Sequence, residues 1–154
     1  MADATIFDRL KQDHDAHRQL FDKMADATGD NERLAKLFEQ FRVEVTAHAA
    51  AEEETLYATM LARPDLREDA QHSVSEHKEI DDYLEELHEQ EFNSTAWRET
   101  FDKMKKRYLH HIEEEEEEMF PDAAAELTTE EEQKLAATFA RRKPAELQRA
   151  ENAD

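Results

Sequence analysis

At 154 residues, 38% of them hydrophobic and none a cysteine, the chain suits one domain with a modest core. It cannot build disulfides, thiolate nucleophiles, iron–sulfur clusters or cysteine-based zinc sites. Forty acidic residues against 20 basic ones give a net charge of −20, which excludes nucleic acid and anionic membranes as default partners.

A single glycine and three prolines, set among abundant Ala, Leu, Glu, Lys, Gln and Arg, are the composition of long helices. The first predicted helix runs from about Ala4 to Ala27, with Phe7, Leu10, His14, His17, Phe21 and Met24 on one stripe, until Gly29-Asp30-Asn31 breaks it. The second runs from about Asn31 to Leu61 through Leu34, Phe38, Phe41, Val45, His48, Glu52 and Thr55, and stops before Pro64. The third, about Asp65 to Gln90, carries His77, Ile80, Leu84 and Leu87. Asn93-Ser94-Thr95 offers caps for the fourth, which reads Trp97, Phe101, Met104, Tyr108, His111, Glu115 and then Glu118 or Met119, until Pro121. Thr128 and Glu131 form a capping box for a shorter helix that Pro144 should end near Lys143. "MADATIFDRL" lacks a basic region followed by an apolar run, and no stretch reaches eighteen apolar residues. A soluble, cytoplasmic protein is expected.

Long helices joined by short connections predict an all-α fold, an antiparallel up-down-up-down four-helix bundle over 1–126 with a short extra C-terminal helix and tail over 127–154. Those last residues would cover one end of the bundle or make a dimer contact, so monomer and weak dimer are both open. A helical hairpin is written twice. His14 and His77, His48 and His111, and Glu52 and Glu115 are each 63 positions apart, as are Phe38 and Phe101, Phe41 and Met104, Val45 and Tyr108, and Tyr57 and Phe120. A repeated helical hairpin would bring both copies to the bundle centre.

Residues four apart on a helix stand one turn above another. "HAAAEEETLY" (48–57) and "HIEEEEEEMF" (111–120) therefore each aim one imidazole and one carboxylate inward, and His14 and His77 join them from the other helices. Four imidazoles and two carboxylates buried without partners would be costly, and metal coordination removes that cost. Two six-coordinate ions would take the four histidines, two bridging glutamates and one bridging oxygen, and would keep positions for water or a small ligand. Mixed N and O ligation suits iron, with manganese and zinc as poorer fits.

These stretches, together with "DHDAH" (13–17) and "EHKEI" (76–80), resemble the hemerythrin-like, or HHE cation-binding, domain over about residues 3 to 122. The resemblance implies an oxo- or hydroxo-bridged non-haem di-iron centre, with Glu52 and Glu115 as bridges and His14, His48, His77 and His111 as terminal ligands. It implies a protein that binds O₂ or a related small oxidant, for oxygen binding, storage or sensing. The alternative it implies is a redox enzyme acting on hydrogen peroxide or nitric oxide, served by a separate reductase. Oxygen carriers of the family use a fifth histidine four residues before His77; here that residue is Ser73, with His72 one position off the stripe. The chain is similar to the symmetric four-histidine type.

Around the six, the register favours His111 over His110, although His110 and Glu114 are also four apart. Glu118 is a candidate partner for a ligating imidazole, or turns outward with Met119 taking the stripe. His17 reads as a hydrogen-bonded core histidine, or else as an extra ligand or its partner. Tyr108 reads as a core tyrosine, or as a donor to bound oxygen. His72 and His88 fall off the stripes and should be exposed. A ferritin-like site needs Glu-x-x-His on two helices; only Glu85-x-x-His88 fits.

Overall fold

The computed structural model describes residues 4–153. It is all-helical there: α1 Ile6–Asp26, α2 Asn31–Glu52, α3 Ala58–Leu61, α4 Pro64–Glu89, α5 Thr95–Glu114, α6 Phe120–Ala124 and α7 Thr129–Asn152. The starts are chemically marked. Thr5 with Asp8 and Thr128 with Glu131 close capping boxes, Asp30 caps α2, and Ser94 caps α5. Pro64 opens α4, where its missing N–H costs nothing.

Two single π-turns join helices end to end. Glu53–Tyr57 links α2 to α3, and Glu115–Met119 links α5 to α6. In each, an N–H reaches back five residues, from Ala58 to the Glu53 carbonyl and from Phe120 to the Glu115 carbonyl. Each turn starts at or one residue after an inward glutamate. The extra residue advances the buried stripe by one position, so Met119 is buried and Glu118 exposed. Pro121 does not stop the fourth helix: it falls in the first turn of α6, just after the widened turn.

α1, α2 with α3, α4, and α5 with α6 form the antiparallel four-helix bundle. α7 lies along α1 and α2 and touches the first π-turn, so it covers a side of the bundle rather than an end. It is longer than Pro144 predicts, passing through that proline to Asn152. Proline removes the bond to the carbonyl four residues back, that of Ala140, and both positions face water. The buried stripe Ala136, Phe139, Lys143, Glu146 and Ala150 meanwhile runs unbroken past it, so packing overrides the local signal.

Two apolar clusters fill the interior. One holds Ile6, Phe7, Leu10, Leu56, Tyr57, Met60, Leu66, Met119, Phe120 and Phe139. The other holds Phe21, Met24, Leu34, Phe41, Val45, Ile80, Leu84, Trp97, Met104, Tyr108 and Ile112, with Phe38 and Phe101 half-buried against it. Between them in helix register lies a layer of histidine and glutamate.

Candidate metal centre

His14 comes from α1, His48 and Glu52 from the last turns of α2, His77 from α4, His111 from α5, and Glu115 from the start of the second π-turn. The four- and three-residue spacing that buries Phe7, Leu10, Phe21 and Met24 on α1 also buries His14. The structure brings all six predicted residues together, none more than 6% exposed.

The imidazoles pair by hairpin. Ring centroids of His14 and His48 are 5.1 Å apart, and those of His77 and His111 are 5.0 Å apart. Each glutamate spans the two pairs. Glu52 Oε1 lies 3.6 Å from His48 Nε2 and 3.3 Å from His77 Nε2. Glu115 Oε1 lies 3.6 Å from His14 Nε2, and its Oε2 lies 3.2 Å from His111 Nε2. Ligand atoms of Glu52, His77, His111 and Glu115 fall within 4.8 Å of one another, as do those of His14, His48 and Glu52.

Every imidazole is held from behind by its own carboxylate. Nδ1 of His14 meets Glu116 at 2.7 Å, that of His48 meets Asp13 at 2.8 Å, that of His77 meets Glu53 at 3.0 Å, and that of His111 meets Glu76 at 2.8 Å. Asp13 and Glu76 are 63 positions apart, as are Glu53 and Glu116. The outer ring therefore obeys the same repeat as the inner one. A carboxylate at Nδ1 holds the ring proton there and leaves the Nε2 lone pair facing inward.

Those lone pairs meet carboxylate oxygens. Nε2 of His14 and His48, both oxygens of Glu52 and Oε1 of Glu115 are buried without a hydrogen-bond partner. Protons relieve part of the conflict. Burial and the adjacent Glu115 charge push Glu52 well above the ordinary carboxyl range. Burial opposes the charge of Glu115, but the neighbouring Glu52 and His111 outweigh it and hold Glu115 well below that range. Burial likewise works against charge on His111, yet Glu115 and Glu76 push it up to about 9. His48 goes down to about 4, because its desolvation exceeds the pull of Asp13.

One hydroxyl reaches the cage. Tyr57, fully buried, donates to Glu115 Oε2 at 2.5 Å, and its oxygen is 3.5 Å from His77 Nε2. Its ring stacks on His77, as Phe120 stacks on His14. The sequence reading proposed other candidates. Glu118 is exposed, and Glu116 makes the contact assigned to it. Tyr108 is buried but bonds His17 Nδ1 at 2.7 Å. His17 is thus a hydrogen-bonded core histidine, held neutral chiefly by burial, with His48 and His14 adding to it. His110 is exposed and bonds Glu114, His72 and His88 are exposed, and Ser73 turns its hydroxyl to Met119 Sδ.

The residues that sequence reasoning missed are Tyr57, Asp13, Glu53, Glu76, Glu116 and Lys143. All but Lys143 sit in the 63-residue register, which was the signal available. A cavity of about 10 Å³, room for a single water-sized ligand, lies between His48 and His77 and is walled by Val45, Ile80 and Tyr108.

A four-helix bundle built from a duplicated hairpin, with a mid-height His/Glu cage, defines a class of helical cation-binding domains. The sequence profile of the hemerythrin HHE cation binding domain matches residues 5–123. The chain belongs to that family, whose members bind metal cations, commonly iron. A crystal structure of a hemerythrin HHE cation binding domain-containing protein from Mycobacterium kansasii has the same fold, with a TM-score of 0.83 at 22% identity over 97% of this chain and 90% of that one. No curated protein matches by sequence. Among the described residues, no helix is long and apolar enough to cross a membrane.

Proposed function

We propose that this chain holds two iron ions in the cage, His14 and His48 serving one, His77 and His111 the other, and Glu52 and Glu115 shared. In that form it binds O₂ or a related small oxidant, for oxygen binding, storage or sensing. The observation that carries the reading is the inward row of unpartnered atoms, imidazole lone pairs opposed to carboxylate oxygens. Such contacts repel where no proton lies between them, and a cation would relieve all of them at once; each Nδ1 carboxylate fixes the ring orientation.

Bound iron would supply the electrons and the open position that a small oxidant needs. The chain's own residues do the rest. Phe120 and Tyr57 shield His14 and His77 on one side, while the cluster around Phe41 and Ile80 keeps water out on the other. The cavity beside His48 and His77 admits only a small ligand. The Tyr57 hydroxyl places one hydrogen bond at Glu115.

That hydroxyl also favours a second reading, an enzyme acting on hydrogen peroxide or nitric oxide, because turnover needs a proton source within the cage. A separate reductase would then supply electrons. Metal analysis of purified protein should find two irons per chain. Mixing the reduced protein with O₂, peroxide or nitric oxide under stopped flow separates the two readings. A persistent oxygenated spectrum marks the binder, and repeated consumption marks the enzyme. Protein that takes up no metal overturns both.

A further inference from the structure

Asp13 and Glu76 perform the same task 63 positions apart, but their charges are balanced from different places. In the second hairpin, Arg107 of α5 reaches Glu76 Oε2 at 2.9 Å. The position 63 residues before Arg107 is Glu44, an acid, which has nothing to offer Asp13. The missing cation arrives from outside the bundle. Lys143 of α7 places Nζ 2.8 Å from Asp13 Oδ2, the same oxygen that takes His48 Nδ1, and 3.4 Å from Glu44 Oε2. Its side chain is 11% exposed, a depth at which an unpaired ammonium would be costly.

Asp13 has a competing partner. Arg9, further out on α1, pairs with the other oxygen, Oδ1. Without Lys143, the carboxylate is free to swing toward Arg9 and away from His48. α7 does not need Lys143 to dock, since Phe139 is fully buried in the bundle core and Ala136 and Ala150 are buried along the same helix. Docking and positioning are therefore separable.

We infer that Lys143 is a positioning residue for His48, so that α7, which lies beyond the family match at 5–123, sets how tightly the His14–His48 half holds its cation. Arg107 does the same for the His77–His111 half from within the bundle. The inference rests on the two-metal reading above. Losing an outer partner of a ligating imidazole weakens metal binding about 10- to 100-fold. The loss should fall on one ion of the two.

Wild type, Lys143→Gln, Arg107→Gln, their double variant and Lys143→Arg are loaded with iron, assayed for two irons per chain, and challenged with excess chelator. Wild type should release both ions slowly. Lys143→Gln should release one ion faster, by up to the roughly 10- to 100-fold that follows loss of the imidazole's own outer partner, and the other at the wild-type rate. Arg107→Gln should also release one, the double variant both, and Lys143→Arg should restore slow release. The melting midpoint of the metal-free Lys143→Gln protein should stay near wild type, which separates positioning from loosened docking. Release of both ions at the wild-type rate, release of both equally fast, or a double variant that keeps one ion slow overturns the inference. Failure of wild type to load overturns the underlying two-metal reading and is recognised before any variant is compared.

Discussion

Tyr57 donates its hydroxyl to Glu115 across 2.5 Å, and Phe120, its counterpart 63 residues later, has no hydroxyl to give Glu52. The two halves of the cage supply two imidazoles each, but only one has a hydroxyl at its glutamate. Tyr57→Phe should keep two irons per chain, since the ring and its stacking on His77 remain. It should slow any proton-coupled reaction with peroxide at least about 10-fold and cost the metal-free protein about 1–3 kcal/mol. Stopped-flow traces and denaturant titrations read the two effects. A variant with wild-type kinetics removes Tyr57 from the chemistry.

His110 and His111 are neighbours in sequence and opposites in burial. His111→Ala should remove iron and destabilise the loaded protein, whereas His110→Ala should keep both irons and melt within about 0.5 kcal/mol of wild type. Iron analysis after dialysis decides it. Loss of metal from His110→Ala alone would place the helix register one residue off.

Glu116 holds His14 at Nδ1, while Glu118 faces water two residues later. Glu116→Gln weakens a charge-assisted bond to a ring proposed as a metal ligand and should lower metal affinity about 10- to 100-fold. Glu118→Gln should change affinity by less than about 2-fold, as surface charges act weakly. Competition against a coloured chelator measures both, and equal effects would deny Glu116 its role.

Loading the cage should release protons near neutral pH. Without metal, burial and the Glu115 charge keep Glu52 protonated, and Glu115 and Glu76 raise His111 to about 9 against its own burial. A raised histidine stabilises the fold fully below its ordinary value of 6.5 and loses that contribution as pH climbs through 9. Metal-free protein should therefore weaken between those values, whereas loaded protein, its His111 already deprotonated, should not. Calorimetry in buffers of different ionisation enthalpy counts the protons, and loading without release contradicts this charge arrangement.

Phe139 anchors α7 in the core shared with Ile6, Tyr57 and Met60. Phe139→Ala should cost about 3–5 kcal/mol and be visible as a lowered melting midpoint. A loss under about 1 kcal/mol would mean that α7 is dispensable to the fold.

The six cage residues were legible because two independent periodicities agree on them: the helical stripe places each inward, and the 63-residue repeat pairs them. The outer carboxylates obey that repeat too. Each adjoins a cage residue in sequence, but with 40 acidic residues in the chain one more acidic coincidence carries little weight. Tyr57 was visible only as the partner of Phe120, where it reads as an apolar pair. Glu118 stayed open between an inward and an outward reading because a 3.6-residue period cannot register a π-turn, and the widened turn hands the inward place to Met119. Lys143 has no counterpart within the repeat, and Pro144 beside it signalled a helix end that packing of the Phe139 stripe overrides.

The ionisable layer divides the hydrophobic interior, with Phe7, Leu56 and Phe139 on one side and Phe41, Trp97 and Met104 on the other. The same helices run through both ends, α1 giving Leu10 to one and Phe21 to the other, so the halves stay joined without metal but meet across a polar layer. A bound cation would tighten that layer, so the metal-free protein should melt lower and over a broader range than the loaded protein.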